Sequence, residues 1–225
     1  LTPPEEQRAA MVRDQLIARG VLDSGVLSAF RTVPRERFVP ERQRPAAYED
    51  HPVPIGGGQT ISQPYVVAFM AEALELRPRD HVLEVGAGSG YAAAIFSRLA
   101  GDVIGIERRP ELAATAADVL AELGYDNVRI VAGDGSVGLA EEAPFDAICV
   151  SAGAPEVPPA LVEQLAPGGR LVLPVGDADG QRLIRVRRLP GGQTRRDDLG
   201  SVRFVPLVGE QGWRRPRRGG HDREP

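Results

Sequence analysis

The apolar positions of this chain follow two periods. Over residues 5–30, Met11, Leu16, Ile17, Val26, Leu27 and Phe30 recur at helical spacing, with a break at Gly20. From residue 81 onward, short runs that are apolar at nearly every position alternate with longer amphipathic ones. Strands are expected at 81–85, 102–107, 128–132, 145–151 and 170–174, with helices at 91–100, 110–123 and 159–166 and a short segment after Asp134. Strands without polar alternation bury both faces, so this order predicts an α/β fold: a mostly parallel sheet with helices on both sides. Two more strands, 183–189 and 201–208, are expected as an antiparallel pair around a polar turn at 190–198.

Ahead of the sheet the pattern is less regular. Residues 33–40 form a proline-bounded connector, and residues 48–59 read as a loop because Pro52, Pro54 and three successive glycines, Gly56, Gly57 and Gly58, interrupt any periodicity. Ser62, Gln63 and Pro64 then open an apolar helix that runs to about Leu76, with the serine as N-cap and the proline in the first turn. The expected organisation is an N-terminal helical segment and loop over 1–76, packed on a core with its C-terminal strands over 77–213. The Arg/Gly/Pro-rich stretch 214–225 is expected to be disordered.

Composition narrows the chemistry. All 27 basic residues are arginine, which excludes a lysine Schiff base and pyridoxal phosphate attachment. Cys149 is the only cysteine, so no internal disulfide or Cys-rich metal site is possible; in the middle of an apolar strand it reads as a packing residue. The three histidines, His51, His81 and His221, are scattered, and no metal is expected. A formal charge of −4 gives no general reason to expect nucleic acid. There is no apolar run of membrane-spanning length and no signal-like stretch in residues 1–8, so no membrane partner and a cytoplasmic location are expected.

The run His81-Val82-Leu83-Glu84-Val85-Gly86-Ala87-Gly88-Ser89-Gly90-Tyr91 is the most informative in the chain. A strand here ends in a glycine turn that lets the backbone approach a ligand closely, then enters a helix. The spacing G-x-G-x-G differs from the G-x-G-x-x-G of dinucleotide enzymes. Glu84, inside the strand end, would repel a pyrophosphate and attract a cationic amino-acid group, and S-adenosyl-L-methionine carries both a sulfonium and an ammonium. The second strand ends in Glu107, about twenty residues after the first glycine, where a carboxylate accepts ribose hydroxyls; alone, it is equally a surface acid before a helix. The third closes with Ala132-Gly133-Asp134-Gly135, where the aspartate either accepts an adenine amino group or simply makes a turn. Three aligned strand ends together predict a Rossmann-like, nucleoside-binding sheet. The fourth strand is not followed by the Asp/Asn-Pro-Pro-aromatic run used to hold amino groups in base and amide methylation.

With Pro54-Ile55-Gly56-Gly57-Gly58-Gln59-Thr60-Ile61-Ser62-Gln63-Pro64-Tyr65 added, the chain resembles the protein-L-isoaspartate (D-aspartate) O-methyltransferases nearly end to end. The resemblance rests on Val33-Pro34-Arg35 with Phe38-Val39-Pro40, the Gln59 to Pro64 run, the glycine turn, Gly133-Asp134-Gly135, Pro167-Gly168-Gly169-Arg170-Leu171 and Phe204-Val205-Pro206-Leu207-Val208-Gly209. The 59–64 run is specific to that family; the glycine turn is generic. The resemblance implies the Rossmann-like S-adenosyl-L-methionine-dependent methyltransferase fold. It also implies methyl transfer from that cofactor to the free α-carboxylate of L-isoaspartyl, and with them D-aspartyl, residues in damaged proteins and peptides. The ester then closes to a succinimide. Ser62 is implied as the catalytic residue. Gln59, Thr60, Ile61, Glu84, Gly86, Gly88, Ser89, Gly90, Glu107, Asp134 and Gly135 are implied around the cofactor, and Thr60, Ser62 and Val208 around the substrate. Trp213 falls near the same closing segment as Val208. A monomer is expected, with isoaspartyl proteins as partners. An aspartyl carboxyl methyltransferase tailoring a ribosomally made peptide would share the same site residues, and the sequence does not separate the two.

Overall fold

A computed structural model describes residues 2–177 and 179–214. Five parallel strands make up one side of its main sheet, with β5 at the edge: β3 (His81–Val85), β4 (Asp102–Glu107), β5 (Val128–Ala132), β6 (Phe145–Val150) and β7 (Leu165–Gly176). Two antiparallel strands, β8 (Gln181–Arg188) and β9 (Thr194–Val202), extend it, giving the order β5-β4-β3-β6-β7-β8-β9. β3 therefore has β4 on one side and β6 on the other, and the chain reverses direction of travel across the sheet at that point. In sheets of this kind the crevice at the carboxyl ends of the two strands flanking the reversal is where ligands bind.

Successive residues on each strand point to opposite faces, and the core divides accordingly. Val82, Val103, Ala147, Cys149 and Val172 join one hydrophobic cluster, while Leu83, Ile104, Ile148 and Leu171 join the other. The first cluster is completed by α1 (Pro4–Met11), α2 (Ser24–Thr32), α3 (Pro64–Leu74) and α4 (Tyr91–Ser97), so the N-terminal helices share their core with the sheet. Leu120 of α5 (Pro110–Glu122) also reaches it, and α6 (Pro159–Glu163) contributes Leu161 to the opposite face. A buried ion pair, Arg170 Nη2 to Asp80 Oδ2 at 2.6 Å, ties the end of α3 to β7, because the same guanidinium also donates to the carbonyls of Leu74 and Glu75.

Four expectations need correction. Residues 48–59 are not all loop: β1 (Val53–Gly56) pairs antiparallel with β2 (Gln59–Ile61), and positive-φ glycines close the hairpin. The C-terminal pair is not 183–189 with 201–208. Its second strand is β9, so the turn is short, and residues 203–208 run extended with only isolated bridges, Gly153 to Pro206 and Val208 to Trp213. β9 was hidden by its polarity. It is an exposed edge strand whose Asp197 and Asp198 pair across the ladder with Arg185 and Arg182. The first helical stretch ends at Gly20 (φ +88°), as its sequence suggests, but passes through a π turn at Val12–Leu16 and a 3-10 turn at Ile17–Arg19. The expected helices 91–100, 110–123 and 159–166 end early: α4 at Ser97 and α6 at Glu163, each three residues short, and α5 at Glu122, one residue short. Apart from Arg214, the stretch 214–225 lies outside the described residues.

Candidate active site

Two buried carboxylates stand at the carboxyl edge of the sheet, one strand apart. Glu107 ends β4 and is 6% exposed. Its Oε2 accepts from the Gly88 amide at 3.0 Å and its Oε1 from the Arg109 amide at 2.9 Å. A carboxylate has about four lone-pair sites, so each oxygen keeps one for a hydroxyl donor such as a ribose diol. It faces a cavity bordered by Gln59, Gly86, Ile106, Gly135 and Val208.

Glu84 lies one residue before the end of β3 and is 1% exposed. Its Oε1 accepts from the Ser151 hydroxyl at 3.1 Å, and its Oε2 has no hydrogen-bond partner among the described residues. Burial, reinforced by the charge of Glu107 and opposed by the Ser151 hydrogen bond, pushes its pKa up to about 8. A buried carboxylate with a free acceptor is unfavourable unless a donor or cation meets it. That orphaned oxygen sits in a pocket lined by Thr60, Ile61, Ser62, Gly86, Gly88, Ser89, Tyr91, Ser151 and Phe204. A cationic amino-acid end on one side of Gly86 and a nucleoside on the other fit S-adenosyl-L-methionine, since Gly86 borders both cavities.

The inner pocket meets an outer cleft of about 900 Å³ at Thr60, Ser62, Ser151 and Phe204. Ser62 is not the N-cap of α3. Proline at the first helical position sets the start, so Gln63 caps it (φ −49°, ψ 136°) without a side-chain cap bond. Ser62 thus precedes the cap; its carbonyl accepts from Arg35 Nη2 at 2.7 Å, and its hydroxyl has no protein partner among the described residues. The Gln63 side chain donates instead to the backbone carbonyl and carboxylate of Asp50.

Other expected site residues are placed less directly. Gly90 borders neither cavity. It has φ +83°, and a Cβ there would stand 3.0 Å from Leu120, so its glycine serves the packing of α5. Asp134 is occupied: Oδ1 accepts from the Ser136 amide and hydroxyl, and Oδ2 from the Glu210 amide at 2.8 Å. Burial alone would raise its pKa, but these donors hold it below the ordinary aspartate value. It staples the C-terminal turn, while its neighbour Gly135 lines the Glu107 cavity. Val208 lies on that cavity too, away from the Ser62 cleft where a substrate contact is expected.

Sequence reasoning missed Ser151, Phe204, Arg19 and Tyr65. Ser151 follows β6, next to β3, and the strand-end rule applied to the fourth strand would have found it. Tyr65 directly follows the 59–64 run, on the first turn of α3, whereas Arg19 and Phe204 come from distant segments that only the tertiary fold assembles. Arg19 stacks 3.6 Å over the Tyr65 ring, which itself stacks on Phe69, and these form one wall of the cleft. Among the described residues there is no group of three or more His, Cys, Asp or Glu placed to hold a metal, and no helix long and apolar enough to cross a membrane.

Known proteins are similar to this chain in sequence and fold. A family model described as protein-L-isoaspartate(D-aspartate) O-methyltransferase matches residues 6–212. Relatives named protein-L-isoaspartate O-methyltransferase 2 from Marinobacter nauticus and Pelobacter propionicus are 58% and 56% identical. They align over 92% and 93% of this chain and 94% and 93% of their own length. A beta-aspartate methyltransferase structure from Plasmodium falciparum, in complex with S-adenosyl-L-homocysteine, has a TM-score of 0.79 at 29% identity, covering 92% of this chain and 99% of its own. With the parallel sheet, the two strand-end carboxylates and the 59–64 segment set between them and the cleft, the chain belongs to the protein-L-isoaspartate (D-aspartate) O-methyltransferase family.

Proposed function

We propose that this chain methylates the free α-carboxylate of L-isoaspartyl residues in damaged proteins and peptides, with Ser62 at the point where cofactor pocket and substrate cleft meet. The observation that carries this reading is the shared border of the two spaces, Thr60 and Ser62 on one side and Ser151 and Phe204 on the other. S-adenosyl-L-methionine, when bound, supplies an electrophilic methyl on a sulfonium. Glu84 would hold its ammonium, Glu107 its ribose hydroxyls, and Gln59, Gly86, Gly88, Ser89 and Gly135 the surrounding wall.

The remaining chemistry falls to the substrate side. An α-carboxylate has a reference pKa of about 3.5 and is ionised at neutral pH, so no general base is needed. It is a weak nucleophile because water solvates it, and alignment with loss of that water is where rate is gained. The Ser62 hydroxyl donates to the carboxylate without protonating it. The start of α3 behind it presents backbone amides, which favour an anion. Val67, Met70 and Phe204 wall the inner pocket with apolar surface and exclude water from the line of attack.

The test compares an isoaspartyl peptide with the matched aspartyl peptide, using methyl-labelled cofactor. Base-labile label on the isoaspartyl peptide alone is expected. Equal labelling of both, or of neither, refutes the assignment.

A further inference from the structure

Arg35 is the largest fully buried side chain among the described residues, at 0% exposure. Both of its hydrogen bonds go to backbone carbonyls and neither to a carboxylate: Nε to Ala47 at 2.6 Å and Nη2 to Ser62 at 2.7 Å. Its Nη1 has no partner among the described residues. The guanidinium carbon lies 4.8 Å from the centroid of the Tyr91 ring, which Phe30 and Phe38 hold edge-on. Tyr91 opens α4 directly after the glycine turn and borders the pocket that holds Glu84. A buried cation without a counter-ion is unfavourable, and an apolar side chain of similar volume would fill the space without that penalty. Packing alone therefore does not account for arginine here.

We propose that Arg35 is a positioning residue for methyl transfer: by drawing the Ser62 carbonyl into the core, it turns the Ser62–Gln63 peptide so that its amide faces the cleft. The peptide unit is planar and trans, so its carbonyl and N–H point in opposite directions. With the carbonyl fixed on buried Arg35, the Gln63 amide is directed away from the core, beside the Ser62 hydroxyl. The other end of the guanidinium is fixed by Ala47, and its face by Tyr91. One side chain thus sets the substrate-side donors relative to the cofactor-side turn. Lysine is a poor substitute, because its single ammonium on a flexible stem lacks the fixed fork that aims donors at both carbonyls.

This inference rests on the assignment of Ser62 to the substrate carboxylate. Arg35→Lys and Arg35→Met are compared with the native protein by thermal melting, S-adenosyl-L-homocysteine calorimetry and steady-state kinetics on an isoaspartyl peptide. Arg35→Lys keeps the charge and the aliphatic stem, and it decides the outcome if the methionine variant does not fold. In folded variant, kcat is expected to fall on the order of 100-fold, the scale set by a misplacement of about 1 Å. The dissociation constant for S-adenosyl-L-homocysteine should change less than about threefold, because the Glu84 and Glu107 contacts are intact. In a Ser62→Ala background the same Arg35→Lys change should cost less than about tenfold, since groups that act through one another are not additive. A native kcat in folded Arg35→Lys overturns the proposal. So does an equal loss with and without Ser62, which marks a structural role only. If instead Ser62→Ala alone leaves kcat unchanged, the reading of Ser62 has failed, and that outcome is separate from either result at Arg35.

Discussion

With the proposed hold of Glu84 on the cofactor ammonium, its raised pKa makes cofactor affinity and protein stability depend on pH in opposite senses. Burial lifts this carboxyl from 4.5 to about 8. The folded state then holds the proton more tightly than the unfolded chain. The stability so conferred is complete below 4.5 and is lost as pH rises through 8. Across that window the shift corresponds to about 5 kcal/mol, at about 1.4 kcal/mol per unit. Binding runs the other way. One unit below its pKa, about nine molecules in ten carry a neutral Glu84, and only the ionised form pairs with an ammonium. The apparent dissociation constant of S-adenosyl-L-homocysteine should therefore weaken about tenfold per pH unit below 8, the penalty for a fractionally populated competent state. Binding at pH 7 should release about 0.9 proton, less about 0.1 taken up by the ligand's α-amino group, whose reference pKa is about 7.8. Calorimetry at pH 7 in buffers of different ionisation enthalpy reads that number as a slope. Glu84→Gln should leave only the ligand's own uptake of about 0.1 proton in that slope and flatten the pH profile. At pH 8 it should weaken binding by roughly 1.5–3 kcal/mol, the worth of a hydrogen bond to a charged group. The ligand-free variant should also melt higher than the native protein at pH 8.5, where the native chain carries a buried, unpaired charge. Native binding that is independent of both buffer and pH between 6 and 7.5 would refute the argument.

Three other changes separate the parts of the site. Ser62→Ala should lower kcat far more than it weakens S-adenosyl-L-homocysteine binding, and matching losses in kinetics and calorimetry would remove the hydroxyl from the substrate side. Glu107→Gln keeps an acceptor but removes the charge that meets the Gly88 and Arg109 amides. It should weaken S-adenosyl-L-homocysteine binding by about 1–3 kcal/mol, and an unaltered dissociation constant would exclude it from the nucleoside cavity. The charged residues lining the outer cleft are Arg19 and Arg203. Arg203→Glu should raise KM for isoaspartyl peptides with acidic neighbours by about two- to fivefold at low salt, the scale of an exposed charge pair. The change should shrink as salt rises; an identical response from peptides with basic neighbours would argue against selection by charge.

The elements around the crevice were legible because each carries two signals at once. β3 and β4 are apolar at nearly every position; β4 ends in Glu107, while β3 carries Glu84 one residue before its end and adds a glycine turn. Periodicity placed the strand, and the acid at or next to its end pointed to a ligand. Where a segment carried one signal, or two in conflict, the reading slipped. The β1–β2 hairpin is masked by Pro52, Pro54 and its three glycines, residues that mark a turn but leave too little of either strand to show a period. In β9, Arg195, Arg196, Asp197 and Asp198 look like solvated turn, yet the strand is held by its backbone ladder to β8, with Leu199 and Val202 packed against the core and ion pairs crossing to Arg185 and Arg182. At Ser62 the serine signal and the proline signal compete for the same helix start, and proline prevails because its fixed φ belongs inside the first turn.

The same conflict bears on how the site works. Were Ser62 the cap, its hydroxyl would be spent on an α3 amide and the amides behind it would be partly satisfied. Displaced by one residue, the hydroxyl is left free at the border of two cavities, and its carbonyl, which no helix claims, is taken by Arg35 from inside the core. The donor proposed for an anionic substrate is thus separated from the helix, and its residue is tethered through the carbonyl to a buried cation. Glu84 is the complementary case, a buried acid whose second oxygen no protein donor claims. The site brings together one unsatisfied donor and one unsatisfied acceptor, each held rigid by groups that do not use it. A cationic cofactor and an anionic substrate are the pair of ligands that would satisfy both at once.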